Sequence, residues 1–248
     1  MNYIKKGVLV AIFNFLLVGC GGETKEEFYS DGGLKYSAKY NSDSKLDGEY
    51  RSFYRNGKPK EKKEYSEGLL DGEYISYYIN GKIEFVKHYE KDVRTGETKL
   101  YYKSGKLKEI ATHIDGNING KYIVYWENGN IGLEEEYNMG KRHGVFKVLS
   151  ESGELIQQSK YSNGLLEGKY IYYRKNEESI VAIFEKGNLK SGYGYPIIMT
   201  EGWGFRRTTY KKGNKVILTN NNDFINLMIK NEYSNMFEKI PGLAENKR

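Results

Sequence analysis

The sequence predicts an all-β protein, an elongated single-sheet solenoid of tandem β-hairpin repeats of about 24 residues, followed by a C-terminal α-helix. The first observation is composition, because 24 Tyr and 29 Gly against only 3 Pro favour many short antiparallel strands joined by turns. The second is that glycine recurs at a spacing of 24 residues. The third is that apolar and charged residues alternate between the glycines, as they do along half-buried strands.

The repeat region is predicted to span residues 28–194. Five units align at an offset of 24 residues without insertions and begin at Phe53, Tyr77, Tyr101, Tyr125 and Leu149. An earlier unit begins at Phe28 with one extra residue, and a decayed unit begins at Tyr173. Each unit contains two strands, and it buries its apolar face only by stacking on its neighbours.

Two columns of glycine mark the turns. The first contains Gly57, Gly81, Gly105, Gly129 and Gly153, each preceded by Asn or Ser. Because both residues of Asn-Gly tolerate positive φ, this column predicts a tight two-residue turn. The second contains Gly72, Gly96, Gly120, Gly144 and Gly168, mostly with another glycine four residues earlier. This second pattern predicts a looser turn.

Alternation along the strands predicts one packed face and one hydrated face. Tyr74 and Tyr78 share one face of their strand, Phe85 and Tyr89 share one face of the next strand, and the opposite positions, such as Lys62 and Glu64, are mostly charged. The run Glu134 to Glu136 places successive carboxylates on opposite faces, so it is not predicted to bind calcium and is expected to form a charged solvent face.

The first twenty residues predict a lipoprotein signal. A basic start and an apolar run from Gly7 to Val18 end in Leu17-Val18-Gly19-Cys20, which resembles the bacterial lipobox. The run is shorter than the roughly 20 residues that a membrane-spanning helix needs. We therefore predict a signal peptide over 1–19, acylation of Cys20, a polar tether over 20–27 and a lipid-anchored location in the bacterial cell envelope, outside the cytoplasm.

Charge and residue types exclude several classes of function. Without Lys5 and Lys6 the chain has 37 basic and 33 acidic side chains, a net charge of +4. This is too small an excess to predict nucleic-acid binding. A single cysteine excludes an internal disulfide and a cysteine-based zinc site. The three histidines, His88, His113 and His143, occupy different phases of the repeat, so no catalytic site, metal or cofactor is predicted. His113 stands in the column of Tyr65 and is expected to be packed.

Two surfaces are candidate binding sites. The aromatic stripe consists of Phe53, Tyr77, Tyr101, Tyr125 and Tyr173, with Leu149 in the same column. Such a stripe is either a structural ladder or a recognition surface. The basic run consists of Lys58, Lys60, Lys62 and Lys63. It is either a solvated edge that discourages aggregation or a contact for anionic lipid headgroups.

Residues 195–248 depart from the repeat and are predicted to form a C-terminal cap. Trp203 and Phe205 are expected in strands, and a helix is predicted over about 222–240, ended by Pro241-Gly242. The apolar residues assigned to that helix are Phe224, Leu227, Met228, Met236, Phe237 and Ile240.

The pattern from Gly72 to Lys82, Gly-x-Tyr-x-x-Tyr-Tyr-x-Asn-Gly-Lys, resembles the bacterial variant of the MORN repeat. The whole chain also resembles the YwqK family of toxin-antitoxin antitoxins. These resemblances imply a non-enzymatic, membrane-anchored module that binds a toxin or a surface protein, with an antitoxin or immunity role as its most concrete form. An envelope scaffold and an anionic-lipid-binding module remain alternatives, and the sequence does not determine the oligomeric state.

Overall fold

A computed structural model of the protein describes residues 22–174, 177–194, 197–201, 208–212 and 215–222. Within these ranges nearly every regular element is a β-strand, and successive strands pair antiparallel. This confirms the predicted all-β class and its tandem hairpins. Cys20, Trp203, Phe205 and the predicted C-terminal helix beyond residue 222 lie outside the described residues.

The chain divides into two compact units, and the division falls within the strand Val93–Tyr101. Unit 1 includes residues 22–95 and 103–105. Its strands are β1 Glu23–Phe28, β2 Leu34–Tyr40, β3 Leu46–Phe53, β4 Pro59–Ser66, β5 Leu69–Tyr77, β6 Ile83–Glu90 and the beginning of β7 Val93–Tyr101. Strands β1 to β6 pair in sequence order, so unit 1 is a series of simple hairpins.

Unit 2 includes residues 96–102 and the chain from residue 106 onward. After β7 its strands are β8 Leu107–Ile114, β9 Asn117–Tyr125, β10 Ile131–Asn138, β11 Lys141–Arg142, β12 Gly144–Leu149, β13 Leu155–Ser162, β14 Leu165–Leu166, β15 Gly168–Arg174, β16 Glu177–Glu185, β17 Asn188–Gly194, β18 Ile197–Glu201, β19 Thr208–Lys212 and β20 Val216–Leu218. Strand β20 pairs with β17, whereas β18 and β19 form a separate two-stranded sheet.

The first strand occupies most of the segment that the sequence assigned to a tether. Residues 23–27 instead form β1, which pairs with β2 from Glu23 opposite Tyr40 to Phe28 opposite Leu34. The Lys25 ammonium lies 4.6 Å from the centre of the Tyr40 ring. The polar composition of residues 20–27 predicts a tether, but an edge strand with charged side chains has the same composition. Composition alone therefore does not distinguish the two. Among the described residues only Gly22 precedes β1.

The two turn types are the reverse of the prediction. At the supposedly looser position, Glu67 and Gly68 have φ of 50° and 90°, and Asn163 and Gly164 have 50° and 86°, which is the pattern of a tight two-residue turn. In the Asn-Gly column only the glycine has positive φ, 77° at Gly57. That turn is a type I turn followed by a left-handed glycine.

The Asn side chain explains why Asn-Gly suits this wider turn. Asn56 Oδ1 accepts a hydrogen bond of 3.1 Å from the backbone N–H of Lys58, and its amide donates one of 3.3 Å to the carbonyl of Ile79 in the next repeat. The side-chain amide of Asn128 donates the equivalent hydrogen bond to the carbonyl of Glu151. Asn is therefore favoured here by hydrogen bonds of its side chain, rather than by its tolerance of positive φ.

The glycines of the second column lie in bulged strands, past the turn. The register of β4 and β5 shifts opposite Glu64, and Gly72 has a φ of 119°. A Cβ atom on Gly72 would lie 2.9 Å from the Cβ of Glu64. The Glu64 carboxylate instead folds over the glycine and accepts a 3.2 Å hydrogen bond from the backbone N–H of Glu73. Glycine is thus needed both for the bulge and for the close approach of this side chain.

Candidate interaction surface

Unit 1 carries a continuous set of aromatic side chains on one face. We define this unit 1 aromatic face as Tyr36, Tyr50, Tyr65, Tyr74, Phe85 and Tyr89. Directly paired residues of neighbouring strands share a face, and the pairing of Tyr50 and Tyr74 with Lys63 places them together. The rings of Tyr74 and Phe85 meet edge to face at 4.9 Å, and those of Tyr36 and Tyr50 stack at 5.9 Å.

Small residues form the base of this face, and the rings above them remain half-exposed. Ala38 is 0% exposed, Ser52 7% and Ser76 8%. In unit 2 the residues at the repeat positions of Tyr50 and Tyr74 are Thr98, Tyr122, Phe146 and Tyr170, which are only 2–4% exposed. The same column is therefore solvent-accessible in unit 1 and buried in unit 2.

An ion pair lies within the unit 1 aromatic face. The Glu61 carboxylate is 3.2 Å from the Lys63 ammonium and accepts a 2.6 Å hydrogen bond from the Tyr74 hydroxyl. The Lys63 ammonium also lies 4.5 Å from the Tyr74 ring centre and 5.6 Å from that of Tyr50. A cation held between two rings and a carboxylate is a defined polar feature on an otherwise aromatic surface.

Titration of this centre follows from its surroundings. Burial alone would raise the pKa of Glu61, but the hydrogen bond from Tyr74 and the charge of Lys63 together hold that pKa below its ordinary value. Burial, followed by the hydrogen bond to Glu61, raises the pKa of the Tyr74 phenol. Glu61 is therefore a carboxylate and Tyr74 a neutral donor near neutral pH, so the centre keeps its charges.

The structure does not bring the four residues of the basic run together. Lys63 lies on the aromatic face, whereas Lys62 points to the opposite face, where it is 3.2 Å from Glu64 and 3.8 Å from Glu73. Lys58 is at the turn and donates a 2.8 Å hydrogen bond to the carbonyl of Asn80. Lys60 is exposed. Lipid contact by this run stays a prediction.

The aromatic stripe coincides with a hydrogen-bond ladder between repeats. Its side chains Phe53, Tyr77, Tyr101, Tyr125 and Tyr173 are all half-buried. The Tyr54 hydroxyl donates a 2.6 Å hydrogen bond to the carbonyl of Tyr77, and Tyr102 does the same to Tyr125. Trp126 Nε1 donates one of 3.1 Å to the carbonyl of Leu149. Backbone carbonyls of this column thus accept hydrogen bonds that join neighbouring repeats. Recognition of a partner by the side chains of the stripe stays a prediction.

Sequence reasoning missed the donors of this ladder. Tyr29, Tyr54, Tyr102 and Trp126 directly follow the stripe positions or their equivalent, so a second aromatic column was visible at the same spacing. It was not recognised because these residues belong to turns, where a large side chain is not expected to reach the next repeat.

Unit 2 has a charged centre of its own, which corrects the expectation of a solvent face for the glutamate run. Glu135 is 1% exposed, and both of its oxygens accept 3.1 Å hydrogen bonds from Arg142. The guanidinium lies 5.4 Å from the Phe146 ring and 5.5 Å from that of Tyr161. The predicted alternation of the glutamates between the two faces is confirmed, because Glu134 lies on the face opposite Glu135 and pairs with Lys147 at 3.2 Å.

The histidines occupy unrelated environments. His113 is 4% exposed, and its Nδ1 is 3.3 Å from Thr98 Oγ1, which confirms the packed position predicted for it. His143 is exposed. Across the ranges that the structure describes, no three His, Cys, Asp or Glu side chains are arranged to hold a metal ion, and no helix is long and apolar enough to cross a membrane.

Comparison with protein families gives a match within the repeats. Residues 46–67, 70–91 and 94–115 match the MORN repeat variant. The three matches are consecutive, and each contains two paired strands joined by the wider turn of the first glycine column. MORN repeats generally mediate protein or membrane binding, and proteins built from them are typically non-enzymatic binding modules. No curated protein matches the chain.

The first two MORN repeats contain most of the unit 1 aromatic face. Tyr50 and Tyr65 lie in residues 46–67, and Tyr74, Phe85 and Tyr89 lie in residues 70–91. The candidate surface is thus a property of the MORN repeats themselves, formed by the rings that each repeat presents on its packed face.

Proposed function

We propose that this chain is a membrane-anchored protein-binding module whose unit 1 aromatic face contacts the partner. The observation that carries the proposal is the exposure of that face, because its rings are accessible where the corresponding rings of unit 2 are buried. Aromatic side chains are enriched in protein recognition surfaces, where they supply a large rigid contact area. The most concrete role is that of a YwqK-like antitoxin or immunity protein.

The charge of unit 1 favours a protein partner over an anionic lipid. Residues 22–95 contain 14 Lys and Arg against 15 Asp and Glu. Electrostatic attraction to anionic headgroups requires a local excess of basic residues. Since unit 1 has none, its contact energy must come from the aromatic rings and from specific polar contacts.

The proposed lipid anchor at Cys20 would limit how far the unit 1 aromatic face lies from the membrane. If Cys20 is acylated, β1 begins three residues later at Glu23, and three extended residues span only about 10 Å. Unit 1 would therefore be held next to the bilayer. This placement suits interception of a protein at the outer side of a membrane.

A protection assay tests the proposal in the host. The genes beside that of this chain are searched for a secreted toxin, the full-length chain is expressed with any toxin found, and survival and co-purification are measured. Lys63→Glu should abolish both, whereas Lys62→Glu, in the neighbouring position on the opposite face, should leave them unchanged. Equal behaviour of the two variants would remove the aromatic face as the binding surface. Absence of protection by the wild-type chain would remove the antitoxin role.

A deletion and a flotation assay separate the alternative functions. An envelope scaffold predicts that deletion of the gene alters the display of surface proteins. Lipid recognition predicts that the Cys20→Ser chain floats with anionic vesicles at low salt. The proposed function predicts neither effect.

A further inference from the structure

Asn-Gly pairs are the positions at which a protein chain most readily loses ammonia from an asparagine side chain. The backbone nitrogen of the glycine attacks Cγ of the asparagine, and glycine favours this attack because it has no side chain to hinder the nitrogen and its backbone rotates freely. The sequence contains five such pairs, which begin at Asn56, Asn80, Asn119, Asn128 and Asn163. All of them lie within the described residues, so the surroundings of each asparagine can be compared.

Three of these asparagines are held by two side-chain hydrogen bonds each. We call them the wide-turn asparagines, because they lie in the wider turns of the first glycine column: Asn56, Asn80 and Asn128. Oδ1 of Asn80 accepts a 3.0 Å hydrogen bond from the backbone N–H of Lys82, and its amide donates one of 2.9 Å to the carbonyl of Lys103. The other two make the same pair of bonds. Both bonds must break before Cγ can turn towards the glycine nitrogen.

Asn163 differs from the wide-turn asparagines in this respect. It is the first residue of the tight turn between β13 and β14, with a φ of 50°. Its side chain is exposed and makes no hydrogen bond with any residue that the structure describes. Asn119 is intermediate, because its Oδ1 accepts a single bond of 3.1 Å from the backbone N–H of Met139. The side chain of Asn163 is therefore the one that can reorient without losing a contact.

Neither solvent access nor the attacking nitrogen distinguishes these sites. The wide-turn asparagines are exposed, as Asn163 is. The N–H of Gly164 donates a 2.8 Å hydrogen bond to the carbonyl of Arg142, and that of Gly57 donates one of 2.9 Å to the carbonyl of Tyr54. The difference in reactivity must therefore come from the asparagine side chains.

We propose that Asn163 is a site of spontaneous deamidation in the folded protein. The nitrogen of Gly164 bonds to Cγ of Asn163, and Nδ2 leaves as ammonia with the proton that the glycine nitrogen loses. The product is a cyclic succinimide. Water then opens the ring at one of its two carbonyl groups, which gives aspartate or isoaspartate and a new carboxylate. The reaction needs no partner, so it is independent of the proposed binding function.

Isoaspartate at position 163 would change the turn itself. The main chain would then run through Cβ and Cγ of this residue and would be one atom longer. Ser162 pairs with Leu165 across the turn, and a tight two-residue turn fixes that register. The longer turn should lose this pairing and the hydrogen bond from Gly164 to Arg142. Deamidation is thus expected to open the hairpin of β13 and β14.

Peptide mass mapping of the full-length chain, aged in mildly alkaline buffer with detergent, tests the proposal. Deamidation is followed at all five asparagines, and isoaspartate is identified by electron-transfer fragmentation. Each hydrogen bond that must break slows the reaction roughly fivefold, so Asn163 should react about 25 times faster than the wide-turn asparagines. Asn119 should be intermediate. A ratio below about fivefold, the effect of one bond, would overturn the proposal.

The same mapping in concentrated urea shows whether the fold sets the order of reaction. Unfolding removes the protecting hydrogen bonds, and all five asparagines precede glycine, so their rates should converge. An unchanged preference for Asn163 in urea would overturn the proposal, because the order would then come from the local sequence.

Asn163→Gly is the matched variant for the effect on the turn. Glycine adopts the left-handed backbone and has no amide to lose. Amide hydrogen exchange at Gly164 should become faster as the wild-type chain ages, whereas it should stay slow in the aged variant. Equal exchange in the two aged chains would overturn the expected opening of the hairpin.

Discussion

Replacement of Gly144 by alanine tests the physical account of the bulges. Gly144 has a φ of 80°, and a Cβ atom there would lie 2.9 Å from Cδ and 3.2 Å from Cβ of Glu136. Gly168 has a φ of 76°, but a Cβ atom on it would meet nothing within 4 Å. The two glycines occupy the same repeat position in unit 2, so they form a matched pair.

The expected magnitudes separate the two variants. Left-handed backbone costs an alanine about 1–2 kcal/mol at either position. Only Gly144→Ala must also displace Glu136, and such overpacking costs about 1–3 kcal/mol more. The free energy of unfolding, measured by urea titration with circular dichroism, should therefore fall further for Gly144→Ala than for Gly168→Ala.

A third variant isolates the clash. Adding Glu136→Ala to Gly144→Ala removes the displaced side chain, so stability should return to that of Gly168→Ala. Equal destabilisation by the two glycine replacements would refute the reasoning. The reasoning would also be refuted if adding Glu136→Ala restored none of the stability that Gly144→Ala loses.

Three further variants probe the ladder, the buried ion pair and a buried phenol. Trp126→Phe loses the hydrogen bond to Leu149, and urea titration should show a loss of about 1 kcal/mol; unchanged stability would mean that the ladder contributes nothing. Arg142→Met leaves the buried Glu135 without its cation and should cost about 3–5 kcal/mol, whereas addition of Glu135→Met should recover part of that loss; no recovery would contradict a coupled pair. Burial raises the pKa of Tyr172 to about 12 from 10.0, so the fold favours the neutral phenol; this contribution is complete below pH 10 and should be lost as the pH rises through 12. Unfolding titrations should show a decrease of roughly 2–3 kcal/mol over that range for the wild-type chain relative to Tyr172→Phe, and parallel curves would exclude the effect.

Sequence patterns predicted the strands and the faces well where a local rule applies. Side chains of successive strand residues alternate by geometry, which placed Tyr74 with Ser76 and separated Glu134 from Glu135. The packing of His113 followed from its column for the same reason. These features depend only on neighbours along the chain and on the constant repeat.

The charged centre of the candidate surface was not predictable in this way. Lys63 and Lys62 are adjacent in sequence and form one basic run there, yet their partners lie on opposite faces of the sheet. The same holds for Glu135, whose burial depends on Arg142 reaching back from β11. Whether a charge is buried depends on what faces it across the strands, which the order of residues does not state.

The sequence alone determined the repeat period, the antiparallel hairpins and the side of each strand that packs, because spacing and alternation are properties of the chain itself. Tertiary structure decided which turn is tight, which charges are paired within the aromatic layer and where the chain divides into two units. It also decided that equivalent rings are partly exposed in unit 1 and buried in unit 2. Such differences arise because burial is set by the elements packed over a face, and identical local sequences can lie under different neighbours.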